Sequence, residues 1–336
     1  MSTLRSSIAP RAWTIARWAA AFGVVALLVV GLDGGEILER IRSANGLVVV
    51  PAVLGLVAVH ALGALAWRTL CRQLRGLRLT WATCLRVYYA AQALGGVTPA
   101  NLGGDAYRVL SLRNAGVDWS DAAAPVLVQR ATSYLGLAIL ALPALGWLAI
   151  SGRVPVAILA VGLVLCALAA GIALLLMMAP ARLAGVLARL SWNPAMPRGE
   201  MQPEAVSPMH APVRSLAIAT GFALAFHAGS VLLTGLLVMA VDPSATGISV
   251  LAAIMVARLS LALPILPSGL GANEAILALL FGGLGLAPQA ALAALLLTRV
   301  ALVLTTLLGA GLLLFGRHEI TRAETSTLDQ PLAAHR

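Results

Sequence analysis

The chain has 336 residues, of which 60% are hydrophobic and only 11% charged, with a formal net charge of +10. Charge near a quarter of the residues is usual for a soluble domain, so this composition excludes one. The sequence also lacks the alternating segments of about ten residues that mark a membrane β-barrel. What remains is an all-α polytopic membrane protein. Every basic residue is arginine, which reads as GC-rich coding and hence a bacterium. The arginines collect between hydrophobic runs, where cytoplasmic loops hold them, so the positive charge implies topology and no nucleic acid. Cys71, Cys84 and Cys166 have no CxxC spacing, and the five histidines are scattered, so no disulfide framework, metal site or cofactor is expected.

Taken in order, Arg5, Arg11 and Arg17 precede an apolar run from Trp18 to Leu32 with no Ala-x-Ala cleavage signal, which predicts a retained first helix entering from the cytoplasm. Asp33, Glu36, Glu39, Arg40 and Arg42 follow as an outside loop. A second helix covers about 45 to 67, and the acid-free Arg68, Arg72, Arg75 and Arg78 mark the inside. The third runs from Trp81 to Gly95, where Gly95-Gly96-Val97-Thr98-Pro99 must break it. A short segment over about 100 to 113 precedes the fourth helix (120 to 150) and the fifth (154 to 179). Six prolines and Arg182, Arg189, Arg198 and Arg214 then mark a linker, with Arg182 and Arg189 on a short surface helix. Further helices are expected over 215 to 240, 246 to 263 and 288 to 315, with a second short segment over 269 to 283.

The organising feature is a stretch that occurs twice. Thr98-Pro99-Ala100-Asn101-Leu102-Gly103-Gly104-Asp105-Ala106-Tyr107-Arg108, then Gly116 and Gln129-Arg130, matches Leu266-Pro267-Ser268-Gly269-Leu270-Gly271-Ala272-Asn273-Glu274, then Gly285 and Thr298-Arg299. Pro99 and Pro267 are 168 residues apart, as are Gly103 and Gly271, whereas Arg130 and Arg299 are 169 apart. The expected division is an N-terminal membrane half (1–180), a linker (181–214), a C-terminal half (215–317) and a polar tail (318–336). About eight full transmembrane helices are joined by two short broken or re-entrant segments. If both short segments cross, there are ten passages, both termini and the basic linker are cytoplasmic, and the halves form an inverted repeat. The linker arginines favour this over eight passages and parallel copies.

An intramembrane charge costs about 2.5 to 3.5 kcal/mol on insertion scales, so such residues face protein or a water-filled cavity. Arg130 lies roughly 15 Å into its helix, and Arg299 is placed similarly. With Arg108 and Arg258, and only Asp105 and Glu274 as counter-charges, the interior is rich in positive charge. Broken helices at Pro99, Gly103, Gly104, Pro264 and Pro267 expose backbone NH groups toward an anion, and Gly269, Gly271 and Asn273 let a head group come close. The guanidinium fork suits phosphate or carboxylate, and Asp105 with Arg130, or Glu274 with Arg299, can position it. Purely structural ion pairs are the competing reading, weakened by the repetition of the whole constellation. Tyr88, Tyr89, Trp81 and Trp147 read as interfacial anchors, Arg86 as a snorkelling residue and His227 as an interhelical hydrogen-bond residue.

These motifs resemble the lysylphosphatidylglycerol synthase transmembrane-region family, the flippase-like integral membrane proteins, over roughly residues 10 to 317. Pro267-x-Gly269-Leu270-Gly271-x-x-Glu274 with Gly285 and Arg299 is the more specific of the two. The first copy has Gln129 where the family often has an acid. The resemblance implies movement of charged phospholipids between leaflets, and a stand-alone member without the soluble aminoacyl-transfer domain.

The function expected is therefore lipid translocation, with an anionic phospholipid or other lipid head group bound between the halves on Asp105, Arg108, Arg130, Arg258, Gly269, Gly271, Asn273, Glu274 and Arg299. No catalytic residue is expected, and the setting is the bacterial inner membrane. Two alternatives are a non-catalytic subunit presenting lipid to a lipid-modifying enzyme, and a proton-coupled transporter of small solutes.

Overall fold

Helix α1 (Trp18–Gly31) meets α2 (Gly34–Ser43) at 88°. Asp33 makes the corner: its backbone is left-handed (φ 61°), and its Oδ1 accepts from the Gly35 N–H at 3.0 Å and the Glu36 N–H at 3.4 Å. The expected outside loop is thus a capped helix, held by the Glu36–Arg40 pair one turn apart at 2.9 Å and by buried Ile37. The computed structural model describes residues 18–96, 98, 101–178, 212–262, 269–315 and 320. Pro99, Pro264, Pro267 and residues 181–211 of the linker, with Arg182 and Arg189, lie outside the described residues, whereas Arg214 falls in the first turn of the helix that follows.

After the corner come α3 (Gly46–Ala58) and α4 (His60–Arg75), which together make one span of 30 residues. It runs past the expected end at Trp67. Gly63, Ala64, Trp67, Leu70 and Cys71 recur at the helical period and stay buried, so one face keeps paying into the core through Arg68 and Arg72. Gly76, at φ 69°, closes it. Next are α5 (Trp81–Gly96), α6 (Leu102–Asn114), α7 (Trp119–Ser151) and α8 (Val156–Met178). The second half holds α9 (Val213–Val241), α10 (Ile248–Arg258) continued by a 3₁₀ turn (Leu259–Ala262), α11 (Ala272–Leu284) and α12 (Pro288–Phe315).

Among the described residues, five spans are long and apolar enough to cross a bilayer, six if the bent α1–α2 pair counts as one. At about 1.5 Å per residue, α5 and the α10 segment reach only about 24 Å, short of a hydrocarbon core of about 30 Å. Each is followed by a break and a shorter helix, so the expected eight-plus-two arrangement takes the form of long spans framing two interrupted ones. The fold is all-α and polytopic.

The halves repeat element by element. Gly46 begins the α3–α4 span, and Trp81, Leu102 and Trp119 begin α5, α6 and α7; Val213, Ile248, Ala272 and Pro288 begin their counterparts 167, 167, 170 and 169 residues later. Packing across the halves is reciprocal: α5 lies on α12, while its counterpart α10 lies on α7, the counterpart of α12. The first long spans of each half, α3–α4 and α9, pack on each other. This exchange is what a two-fold relation between the halves would produce.

Small residues permit the contacts. A Cβ on Gly309 of α12 would stand 2.1 Å from the Tyr89 carbonyl of α5, and one on Gly136 of α7 would stand 3.0 Å from Ala223 of α9. The largest buried cluster joins α2 and α3 with α7 through α12, while Leu27, Leu47, Ile150, Leu174, Met178 and Phe315 face outward, as lipid requires.

Candidate functional site

The first break is built around Asn101, which takes the left-handed conformation (φ 59°) at the start of α6. Its side chain fills the space that glycines vacate: a Cβ on Gly95 would lie 1.4 Å from Asn101 Oδ1, and one on Gly104 would lie 2.9 Å from the same oxygen and 2.5 Å from the Ala91 carbonyl. Thr98 ties both sides together. Its hydroxyl donates to the Leu94 carbonyl at 3.0 Å and accepts from the Gly103 N–H at 2.8 Å.

This folding puts Asp105 in the first turn of α6, where the helix dipole favours a carboxylate. Asp105 holds two guanidiniums: Arg108 on its own helix and Arg130 of α7, the latter at 2.5 Å. Gln129 completes the cluster, accepting from Arg108 at 2.5 Å and donating to the Gly63 carbonyl of α4 at 2.7 Å. The Arg108 guanidinium lies over the rings of Tyr88, at 5.3 Å, and Trp67, at 6.0 Å.

The second break uses glycine where the first uses asparagine: Gly269 (φ 65°) stands 168 residues after Asn101 (φ 59°). Gly271, also left-handed at φ 88°, comes so close to α1 that a Cβ would meet Val24 at 3.0 Å. Glu274 reaches back to the Gly271 N–H at 2.8 Å, a capping interaction, and its other oxygen accepts from Arg299 Nε at 2.8 Å and Nη2 at 2.6 Å. Its side chain is 1% exposed, so the arginine is its indispensable counter-ion.

The two pairs are the same device. Asp105 and Arg130 are 25 residues apart, and so are Glu274 and Arg299; each pair joins the first turn of a short helix to the long helix after it. Arg258, at the end of α10, lies within electrostatic reach of Arg299 and of His227. Among the described residues, Asp105 is thus met by two arginines, and Glu274 by Arg299 with Arg258 nearby.

Between the clusters runs a polar and aromatic chain. His227 of α9 bonds through Nε2 to the Ser133 carbonyl of α7 at 3.1 Å, one turn after Arg130. Phe226 packs edge-on against His227 and also against His60, at 5.3 and 5.5 Å between centroids. His60 and His227 are 167 residues apart, so they are counterparts in the repeat. Tyr89 closes the chain with a 2.7 Å bond to the Val57 carbonyl.

The structure therefore joins Asp105, Arg108 and Arg130 in one cluster, and Gly271, Glu274 and Arg299 in another with Arg258 beside it. Gly269 packs against Leu261, and Asn273 is buried next to Glu274. Two anchors move inward: Tyr89 is buried and Tyr88 is half-buried against Arg108, because their hydroxyls and rings serve interior partners. Trp81 and Trp147 stay exposed, as does Arg86. Sequence reading missed Gln129, Trp67, Thr98 and Asn101 as parts of the site. The signal for Asn101 was its place opposite Gly269 in the repeat; nothing in the sequence marked Trp67.

A family model described as the lysylphosphatidylglycerol synthase TM region matches residues 14–309. No curated protein matches the chain.

Proposed function

Because the chain belongs to the lysylphosphatidylglycerol synthase transmembrane-region family, whose members are tied to lipid handling, we propose that it is a flippase-like lipid translocator. An anionic head group enters between the two halves and is received by Arg130, Arg108, Arg258 and Arg299, while its acyl or prenyl chains stay in the bilayer. Asp105 and Glu274 hold the guanidiniums in place, and Gly269, Gly271 and Asn273 line the approach at the second break. No covalent chemistry is involved.

The single observation that carries this reading is the twice-built carboxylate–arginine pair, each joining the first turn of a short helix after a break to the long helix that follows. Ionisable groups held in a membrane interior are costly and mark functional sites by default. Placement at corresponding breaks of two halves is the arrangement expected of a transport site.

The accompanying topology is an inverted repeat in a bacterial inner membrane, with both termini cytoplasmic. Its halves are residues 1–180 and 215–317, joined by the linker 181–214 and followed by the tail 318–336. Reciprocal packing supports the two-fold relation on which this rests.

Reconstitution in liposomes with labelled phospholipid tests the proposal. Pure protein moves anionic phospholipid between leaflets, and Arg299→Ala abolishes movement. An unchanged rate in correctly folded Arg299→Ala overturns the reading. Movement only with an added transferase points instead to a lipid-presenting subunit, and a pH-gradient requirement with a soluble substrate points to a solute carrier.

A further inference from the structure

Two histidines inside the helical bundle take no part in the head-group site. His60 of α4 and His227 of α9 are 167 residues apart, counterparts in the duplication, and they flank one ring: Phe226 packs edge-on against both, at 5.5 and 5.3 Å between centroids. His227 is buried and His60 half-buried. The helices that carry them pack on each other across the two halves. An ionisable pair at that seam is a candidate for function by default.

Hydrogen bonds fix where each ring carries its hydrogen. His60 Nδ1 lies 3.0 Å from the Leu56 carbonyl, and His227 Nε2 lies 3.1 Å from the Ser133 carbonyl. A carbonyl only accepts, so these nitrogens donate. His60 Nε2 and His227 Nδ1 are then the lone-pair nitrogens, and the latter has no partner among the described residues. Each ring thus keeps one basic nitrogen.

The charge that acts on both rings is that of Arg258, from α10. Arg299, from α12, acts in turn on Arg258. On α7, Arg130 and Tyr134 flank Ser133 in the chain, and on α5 Tyr89 approaches His60 at 6.4 Å while Tyr88 turns to Arg108. α3 carries no ionisable residue, and the Arg40–Asp242 pair that ties α2 to the end of α9 lies about 22 Å along that helix from His227. Asp105 and Glu274 are bonded to Arg108, Arg130 and Arg299. A proton on either ring therefore meets a like charge, and an anion brought against Arg258 cancels it. Anion and proton favour each other's binding by the same factor.

Resting on the translocator reading, we propose that His60 and His227 form a proton-carrying pair that couples lipid movement to a pH gradient, one proton crossing with each anionic head group. As the anion meets Arg258, an N–H bond forms at a lone-pair nitrogen with a proton taken from water. As the anion leaves, that proton returns to water on the other side. No bond in the lipid is made or broken, and anion and proton cross together without net charge.

Proteoliposomes holding the full chain and labelled phosphatidylglycerol are given a lumen about one pH unit more alkaline than outside, with the membrane potential clamped at zero by potassium and valinomycin. Quenching of the outer leaflet reads the distribution, and protein-free vesicles set the baseline. The labelled lipid collects in the inner leaflet, about tenfold over the outer, and spreads evenly once a protonophore collapses the gradient. An even distribution throughout, reached rapidly, overturns this inference and leaves the translocator standing. No movement of lipid takes both down. His60→Gln and His227→Gln each lose the enrichment; enrichment unchanged in both overturns the assignment to this pair. Should the variants not fold, calorimetry of short-chain phosphatidylglycerol binding to the unaltered protein, in two buffers of different ionisation enthalpy, decides: uptake of about one proton per lipid supports the coupling, and none overturns it.

Discussion

The two breaks carry one plan executed in two ways. At the first, Asp105 is shared by Arg108 and Arg130, and the cluster is closed from outside by Gln129, Tyr88, Trp67 and the Gly63 carbonyl. At the second, Glu274 is committed to its own helix cap and to Arg299, and Arg258 stands beside the pair with a buried Nε unpaired among the described residues. Equal sequence spacing therefore gives equal pairs but unequal surroundings. Trp67 Nε1 at the first and Arg258 Nε at the second are both buried and unpaired among the described residues, so the clusters differ in how the carboxylate is used: shared by two arginines at the first, divided between a helix cap and one arginine at the second.

The largest expected effect comes from removing the carboxylates. Losing one partner of a buried ion pair destabilises by about 3 to 5 kcal/mol. Asp105→Asn takes the carboxylate from two guanidiniums and falls at the upper end, whereas Glu274→Gln takes it from one, keeps an oxygen for the Gly271 N–H, and falls at the lower end. Thermal unfolding in micelles ranks them, and the opposite order breaks the contrast between a shared and a dedicated carboxylate.

A middle-sized effect distinguishes how the breaks are built. Gly95→Ala drives a methyl group into Asn101 Oδ1 and costs about 1 to 3 kcal/mol as an overpacking change. Adding Asn101→Gly copies the residue type of the second break at this position and restores stability. If Gly95→Ala alone is neutral, the asparagine wedge is not what shapes the first break.

The smallest effect lies outside both clusters and serves as their baseline. Partial burial would raise the pKa of Asp242, but the Ser244 hydroxyl at 2.6 Å, the Ser244 N–H at 3.1 Å and Arg40 at 3.2 Å outweigh it and hold the carboxyl below its ordinary range. A carboxyl depressed on folding adds stability that is present above its unfolded pKa and is lost as pH falls through the folded one. The melting temperature therefore drops below about pH 4. Asp242→Asn removes that acid-sensitive step at a cost of about 1 kcal/mol.

Much of this was legible in the chain. The long helices were legible because a membrane demands long uncharged runs, and α7, α8, α9 and α12 begin and end within about two residues of their expected bounds. The ion pairs were partly legible because the motif repeats: it offers Asp105 to Arg130 and Glu274 to Arg299 as partners, and the structure makes both contacts. The α2 corner was not, since Asp33, Glu36 and Arg40 look equally at home in a polar loop, and only Asp33's cap and the contact with Asp242 separate the two outcomes. Nor was the inward turn of Tyr88 and Tyr89, because an aromatic with a hydroxyl suits both a membrane interface and a buried partner.

The sequence by itself determined the class of fold, the order of its elements, the duplication and which acid answers which arginine, because hydropathy and spacing are properties of a linear chain. Only the tertiary structure decided that Arg108 shares Asp105, that α5 packs on the far half, and that His227 meets Ser133 while keeping one nitrogen unpaired among the described residues. Those facts depend on which faces of distant helices meet, and that is fixed by the glycines that let backbones approach and by the wedge of Asn101, through packing that no local pattern encodes.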